Sequence, residues 1–219
     1  MKKSLLAAAA LLATVAVTET KAQGIRLGLK GGANFSNLAG DLANKDGYDY
    51  KPGFHGGLML NVGLIDDGFL SLQPEVLYSQ KGYKYDSGQA FGLYRREGDV
   101  TYNYLDVPVL LKVKAGNLFF EAGPQYSYLL KVKDESTRSL NGATVVRTAA
   151  EQDLKNVNRN EFGYVAGLGF QTDMGLLLGV RYNGALTDFA KNDSYNNGEL
   201  TNARNQVFQV SLGYLLPGR

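Results

Sequence analysis

The chain contains no cysteine, no tryptophan and a single histidine. Without cysteine, disulfide frameworks, thiolate metal sites and cysteine nucleophiles are excluded, and one histidine cannot form a multi-histidine zinc centre. No apolar run reaches about 18 residues, so the sequence predicts no helix that spans a bilayer. We therefore expect no metal and no other cofactor. Glycine is abundant, with 27 residues, and so are tyrosine and phenylalanine, with 14 and 10.

The first 22 residues have the three parts of a secretory signal peptide. A basic start at Lys2 and Lys3 precedes an apolar run at 5–17, and small residues follow before Ala22. We predict cleavage between Ala22 and Gln23; the alternative is a buried N-terminal helix. The remaining domain, 23–219, has 20 basic and 20 acidic residues, so no attraction to nucleic acid is expected.

Eight segments of this domain alternate apolar and other residues with the period of a β-strand. In one of them Leu72 and Val76 alternate with Gln73 and Glu75. An even number of strands joined by alternating short and long connections is the plan of an outer-membrane barrel, with short periplasmic turns and long extracellular loops. The short connections lie at 66–68, 115–117 and 173–175, and the long ones at 36–53, 83–99, 132–160 and 187–203.

The size of the side chains indicates which face of the strands points outward. The apolar face is crowded with leucine, phenylalanine and tyrosine, whereas the opposite face is rich in glycine and serine. An eight-stranded barrel has a narrow interior, so we predict that the large apolar face contacts lipid. A soluble periplasmic binding barrel would have the opposite sense and is the alternative. Six tyrosines near strand ends are predicted to form aromatic girdles: Tyr78, Tyr83, Tyr102, Tyr104, Tyr126 and Tyr128.

The order of several motifs resembles a known family. Segments 71–82 (SLQPEVLYSQKG) and 104–113 (YLDVPVLLKV) are similar to consecutive strands of the PorT-like outer-membrane β-barrel family of Bacteroidetes, and segments 120–126, 162–170 and 181–187 resemble later ones. The resemblance implies an eight-stranded antiparallel up-and-down barrel in the Gram-negative outer membrane. One member, PorT, is associated with the type IX secretion system, which would imply an accessory role in protein secretion.

Charged residues also occur on the face predicted to line the interior. In so narrow a space they are expected to form ion pairs and hydrogen bonds that plug the barrel and fix the strand register. A charge-selective pore is the alternative. The predicted network consists of Arg26, Lys30, Glu75, Asp106, Lys112, Glu121 and Arg181.

The single histidine, His55, falls on the same interior face. An outer-membrane lipid-modifying enzyme would place it beside a serine and an acid, and Ser71, Ser79 and Ser127 are available. No nucleophile motif surrounds these serines. We therefore expect a structural histidine, no catalytic residue and no enzymatic activity.

These observations predict a small barrel that contacts outer-membrane lipid and has a structural or interaction role in the cell envelope. The expected contact with an envelope or secretion-system protein is through loops 36–53 and 132–160. The second of these loops carries Arg138, Arg147 and Arg159 and is predicted to include a short helix from Ala149 to Asn156.

Overall fold

The structure is a computed structural model that describes residues 24–40, 48–65, 68–88, 94–140, 143–151, 154, 157–190 and 202–217. The predicted signal peptide at 1–22 and its cleavage after Ala22 lie outside these residues and stay predictions. No helix in the described part of the chain is long and apolar enough to cross a membrane.

The described residues form nine β-strands and their turns. The strands are β1 (Ile25–Gly40), β2 (Tyr48–Gly63), β3 (Leu70–Gly88), β4 (Tyr94–Ala115), β5 (Leu118–Leu140), β6 (Ala143–Glu151), β7 (Asn160–Gln171), β8 (Leu176–Ala185) and β9 (Ala203–Leu215).

Eight of the described strands close into a ring of antiparallel neighbours, in the order β1, β2, β3, β4, β5, β7, β8 and β9. The ring closes where β9 pairs with β1, from Gly28 opposite Leu215 to Gly40 opposite Ala203. Strand β6 is outside the ring and pairs with residues 133–140 of β5. The predicted eight-stranded up-and-down barrel is therefore confirmed, with one additional strand.

The apolar face of the strands points outward, as predicted. Leu29 and Leu212 are about 60% exposed (61% and 60%), whereas Glu75, at the same depth on the inward face, is 1% exposed. Outward aromatic side chains contact one another across neighbouring strands, as Tyr126 does with Phe162 at a centroid distance of 5.3 Å. An outer surface of this composition matches hydrocarbon rather than water.

The predicted aromatic girdle is wrong for three of its six tyrosines. Tyr83, Tyr102 and Tyr104 are buried inside the barrel, at 5%, 0% and 0% exposure. Tyr83 shares the inward parity of Glu75 in β3, and Tyr102 and Tyr104 share that of Asp106 in β4, so all three point into the barrel. The other three, Tyr78, Tyr126 and Tyr128, lie on the outward face and are partly exposed.

Three of the four predicted long loops, 36–53, 83–99 and 132–160, are largely strand, whereas most of 187–203 lies outside the described residues. Strand β5 continues to Leu140 and pairs with β6, so most of 132–160 is a β-hairpin. The helix predicted from Ala149 to Asn156 is wrong at its first three residues, since 149–151 end β6 and pair with 133–135 of β5. Residues 152, 153, 155 and 156 lie outside the described part of the chain. Threonine and valine at 144–148 favour a strand beside the extended β5. In the same way β1 and β2 occupy most of 36–53, of which 41–47 lie outside the described residues.

Close approach between strands explains one inward glycine. A Cβ added at Gly57 would lie 2.0 Å from the carbonyl oxygen of Val76, whereas one added at the neighbouring Gly56 would be 3.6 Å from the nearest atom. We expect Gly57→Ala to lower the free energy of unfolding by about 1–3 kcal/mol or to prevent folding, with Gly56→Ala close to the parent chain. Urea unfolding in detergent micelles measures both, and equal effects would contradict this explanation.

Candidate functional site: the barrel interior and the outer sheet

Buried apolar side chains occupy both ends of the barrel interior. At the periplasmic end Met59, Phe119, Leu177 and Leu215 form one cluster, which we call the periplasmic apolar layer. At the other end a larger cluster forms the extracellular apolar layer, which contains Leu38, Tyr83, Val100, Tyr102, Tyr104, Leu129, Val132, Val157, Phe189 and Ala203. The polar interior residues lie between these two layers.

Glu75 is the centre of the ionic network next to the periplasmic apolar layer. Both carboxylate oxygens accept hydrogen bonds from Arg181, each at 2.7 Å, and Oε1 also accepts one from Lys30 at 2.9 Å. Arg181 also donates to Glu121, and Gln73 donates to Glu75 at 2.7 Å. Two carboxylates thus surround one guanidinium, in a part of the protein that bulk water does not reach. Such groups stabilise a fold only while every charge keeps its partners.

Two of the predicted network residues have different partners. Lys112 donates to Gln171 at 2.8 Å and to Gln73 at 3.3 Å, and its ammonium lies 3.9 Å from the ring centroid of Phe119. Arg26 lies apart from the network and donates to the carbonyls of Leu215 and Leu216, each at 3.1 Å. It therefore joins β1 to the end of the chain that closes the barrel.

Asp106 belongs to a second ionic cluster, nearer the extracellular side. Lys81 lies 3.1 Å from Asp106 and 3.3 Å from Glu161, and its ammonium is 4.4 Å from the ring centroid of Tyr104. Asn205 donates to both Glu161 and Tyr104. Lys81 and Glu161 were not among the predicted network residues, although their inward parity in β3 and β7 could have identified them.

His55 lies between the two ionic clusters in a chain of hydrogen bonds. Its Nδ1 is 2.7 Å from Oδ1 of Asn34, and its Nε2 is 2.9 Å from Oγ of Ser211. Because Oδ1 only accepts, Nδ1 carries the proton and Nε2 accepts from the serine hydroxyl. This order resembles a Ser–His–Asn nucleophile relay, and it uses Ser211 rather than Ser71, Ser79 or Ser127. All three side chains are buried, so the arrangement cross-links β1, β2 and β9.

Strands β3, β4 and β5 continue beyond the lipid-facing part of the barrel on one side, where β6 pairs with β5. We call residues 83–88, 94–101 and 131–140, together with β6, the outer sheet. The ten residues of β5 in it extend about 33 Å, or roughly 25 Å in height at a tilt of about 40°. Its exposed side chains are mainly polar, and a cavity of about 470 Å³ lies along β4, β5 and β6. Glu97, Asp99, Glu135 and Arg147 are among the residues that line this cavity.

The closed ring and its outward apolar face define the class of the protein as a transmembrane β-barrel of the outer membrane. Residues 19–191 match the model of the family described as "Outer membrane protein beta-barrel domain", and the chain belongs to that family.

Matches to several solved structures cover most of this chain. Neisserial surface protein A is 13% identical with a TM-score of 0.46, and the match covers 88% of this chain and 99% of that protein. Ail, the attachment invasion locus protein of Yersinia pestis, is 14% identical with a TM-score of 0.42, at 88% and 99% coverage. OprG from Pseudomonas aeruginosa is 11% identical with a TM-score of 0.39, at 89% and 96%. No curated protein matches the chain.

The network around Glu75 makes stability depend on one carboxylate. We expect Glu75→Gln to lower the free energy of unfolding by about 3–5 kcal/mol, because Lys30 loses its charged partner and Arg181 loses one of two. Asp173→Asn removes the same charge from an exposed periplasmic turn, where the side chain is 92% exposed, and is expected to have little effect. Urea titrations of both variants in micelles measure the difference, and equal stabilities would contradict this role of Glu75.

The burial of Ser211 predicts that it does not react as a nucleophile. A fluorophosphonate probe applied to the folded protein in native outer membranes is expected to leave Ser211 unlabelled, as detected by mass spectrometry of its peptide. Labelling of Ser211 that disappears in His55→Ala would instead indicate a hydrolytic site open to substrate.

Proposed function

We propose that this protein is an interaction protein of the outer membrane, in which the barrel anchors the outer sheet and the outer sheet binds an external or envelope protein. The observation that carries the proposal is the unequal length of the strands. Strand β5 extends to Leu140, whereas β8 ends at Ala185 and β9 begins at Ala203, so the extension rises on one side of the barrel. Lipid contact does not require these additional residues, and their mainly polar surface suits a protein partner.

The arrangement of the interior supports binding rather than transport. Apolar layers lie at both ends, and the charges between them are engaged with one another, as Glu75 is with Arg181 and Lys81 is with Asp106. An eight-stranded barrel leaves an interior that side chains can fill. We therefore propose that the lumen is plugged and does not conduct solutes.

An accessory role in protein secretion is a second proposal. It is supported by the similarity of segments 71–82 and 104–113 to the PorT-like family. Secretion components that co-purify with the protein from native outer membranes would favour it over a partner outside the cell.

The plugged lumen predicts low permeability. Liposomes that contain the protein are expected to swell in isotonic arabinose no faster than empty liposomes, with a 16-stranded porin as the positive control. Uptake of sugar above the empty-liposome rate would contradict the plug and favour the charge-selective pore.

The outer sheet predicts which part of the chain holds a partner. We expect proteins cross-linked to the full chain in native outer membranes to be lost when residues 134–150 are replaced by a short glycine-serine turn. The matched control is the same turn placed at 116–117, at the periplasmic end. Quantitative mass spectrometry compares the two, and equal recovery of the partner would contradict the proposal.

A further inference from the structure

Strand β6 is the last strand of the outer sheet. One side pairs with β5, from Lys133 opposite Glu151 to Leu140 opposite Ala143. On its other side no strand occurs among the residues that the structure describes. Every second residue of β6 therefore directs its backbone N–H and C=O groups to an open edge above the lipid.

Strand β6 lacks two of the usual protections of an edge, lysine and proline, and its one register shift, at Val145, lies near the start of the strand and leaves 146–151 regular. Natural edge strands are commonly blocked by lysine, proline or an inward charge, because an open edge pairs with other chains. Strand β6 reads ATVVRTAAE and has neither lysine nor proline. Thr144 and residues 146–151 are exposed, and Val146 is 45% exposed. This segment is suited to strand addition, in which main-chain hydrogen bonds supply affinity and alternate side chains supply specificity.

The face that lines the cavity indicates which side chains an added strand would carry. Arg147, Ala149 and Glu151 share one face of β6, and Ala149 is directly opposite Glu135 of β5. A strand added beside β6 would lie two strand spacings, or about 10 Å, from β5. Between Glu135 and a side chain of the added strand opposite Ala149 there would be only the methyl group of Ala149. Lysine or arginine can span that distance together with the glutamate. Glu151 is already paired with Lys131. The complement of this face is therefore an acidic residue opposite Arg147 and a basic residue opposite Ala149.

The tilt of the strands argues against a second copy of this chain as the occupant. Two copies in one membrane are related by an axis along the membrane normal. Strands tilted by about 35–45° from that axis would then cross at about 70–90°, which does not allow ladder pairing. An extended segment of another protein has no such restriction.

We propose that the open edge of β6 binds an extended peptide segment of a partner protein, which adds a strand to the outer sheet and presents one acidic side chain to Arg147 and one basic side chain to Glu135. The proposal rests on the proposed function, since it names the element that holds the partner.

The test uses synthetic nine-residue peptides of alternating valine and threonine. An acidic residue is followed two positions later by a basic residue in one peptide, and the order is reversed in the other, so that both strand directions are sampled. Fluorescence anisotropy measures binding to the full chain in lipid nanodiscs. We expect one of the two peptides to bind. The backbone amides of the peptide fall into two alternating sets, one facing β6 and one facing away from it. Binding should be at least tenfold weaker when one set is N-methylated and unchanged when the other set is N-methylated.

Charge reversal provides the control for specificity. We expect Glu135→Lys to weaken binding at least tenfold, and a peptide with an acidic residue at the position opposite Ala149 to restore it. Asp173→Lys makes the same change in charge at the periplasmic end and should have no effect. Hydrogen exchange should show alternate amides of 144–151 slowing when the peptide binds.

Three results would overturn the proposal. They are binding of neither peptide, equal effects of N-methylating the two sets of amides, or β6 amides already protected in the protein alone, which would mean that the chain itself covers the edge. If a native partner were still lost on replacement of 134–150, the proposed function would remain while the edge mechanism failed. If no native partner depended on that segment, the proposed function would fail independently of the peptide result.

Discussion

Lipid offers no hydrogen-bond partner to a peptide group, and this constraint determines the architecture of the chain. Within the membrane every backbone donor and acceptor must be paired by a neighbouring strand, so the sheet has to close. Closure depends on β1 and β9, the two strands most distant in sequence, which pair from Gly28 and Leu215 to Gly40 and Ala203. Arg26 reinforces that junction by donating to the carbonyls of Leu215 and Leu216. A closed ring of eight strands in turn fixes how little space remains inside.

The narrow interior explains why the charges are organised as they are. Glu75 accepts hydrogen bonds from Arg181, Lys30 and Gln73, and each donor comes from a different part of the chain. A pair such as Glu75 and Arg181 contributes modestly to net stability once the loss of hydration is counted, but a shifted strand would leave one charge alone. The network therefore selects one register among several that the alternating apolar face would tolerate equally well.

The sequence predicted the barrel because alternation with period two reports directly on the two faces of a strand. Leu72 and Glu75 fell on the correct sides for this reason. Alternation does not report the height of a residue along the barrel axis. The girdle prediction for Tyr83 and Tyr102 rested on their positions near strand ends and overlooked the inward parity that they share with Glu75 and Asp106. Above the membrane the interior becomes apolar as well, so an inward tyrosine there packs among apolar side chains.

Contacts between strands distant in sequence were also inaccessible from the pattern. His55 is 156 positions from Ser211, and no local motif connects the two. The helix predicted from Ala149 failed because local propensity was judged without β5, whose extension pairs with that segment. The predicted interior residues Glu75, Glu121 and Arg181 do meet. Each lies on the inward face of its strand, and the interior is narrow enough to bring them into contact.

Among the described residues, β3, β4 and β5 are extended on one side of the ring, so the molecule is asymmetric about the membrane normal. A partner bound there, as proposed, would meet the protein from one direction in the plane of the membrane. Binding would therefore depend on how the protein is rotated about the membrane normal. Two molecules could bind one elongated partner between them only if their outer sheets faced each other.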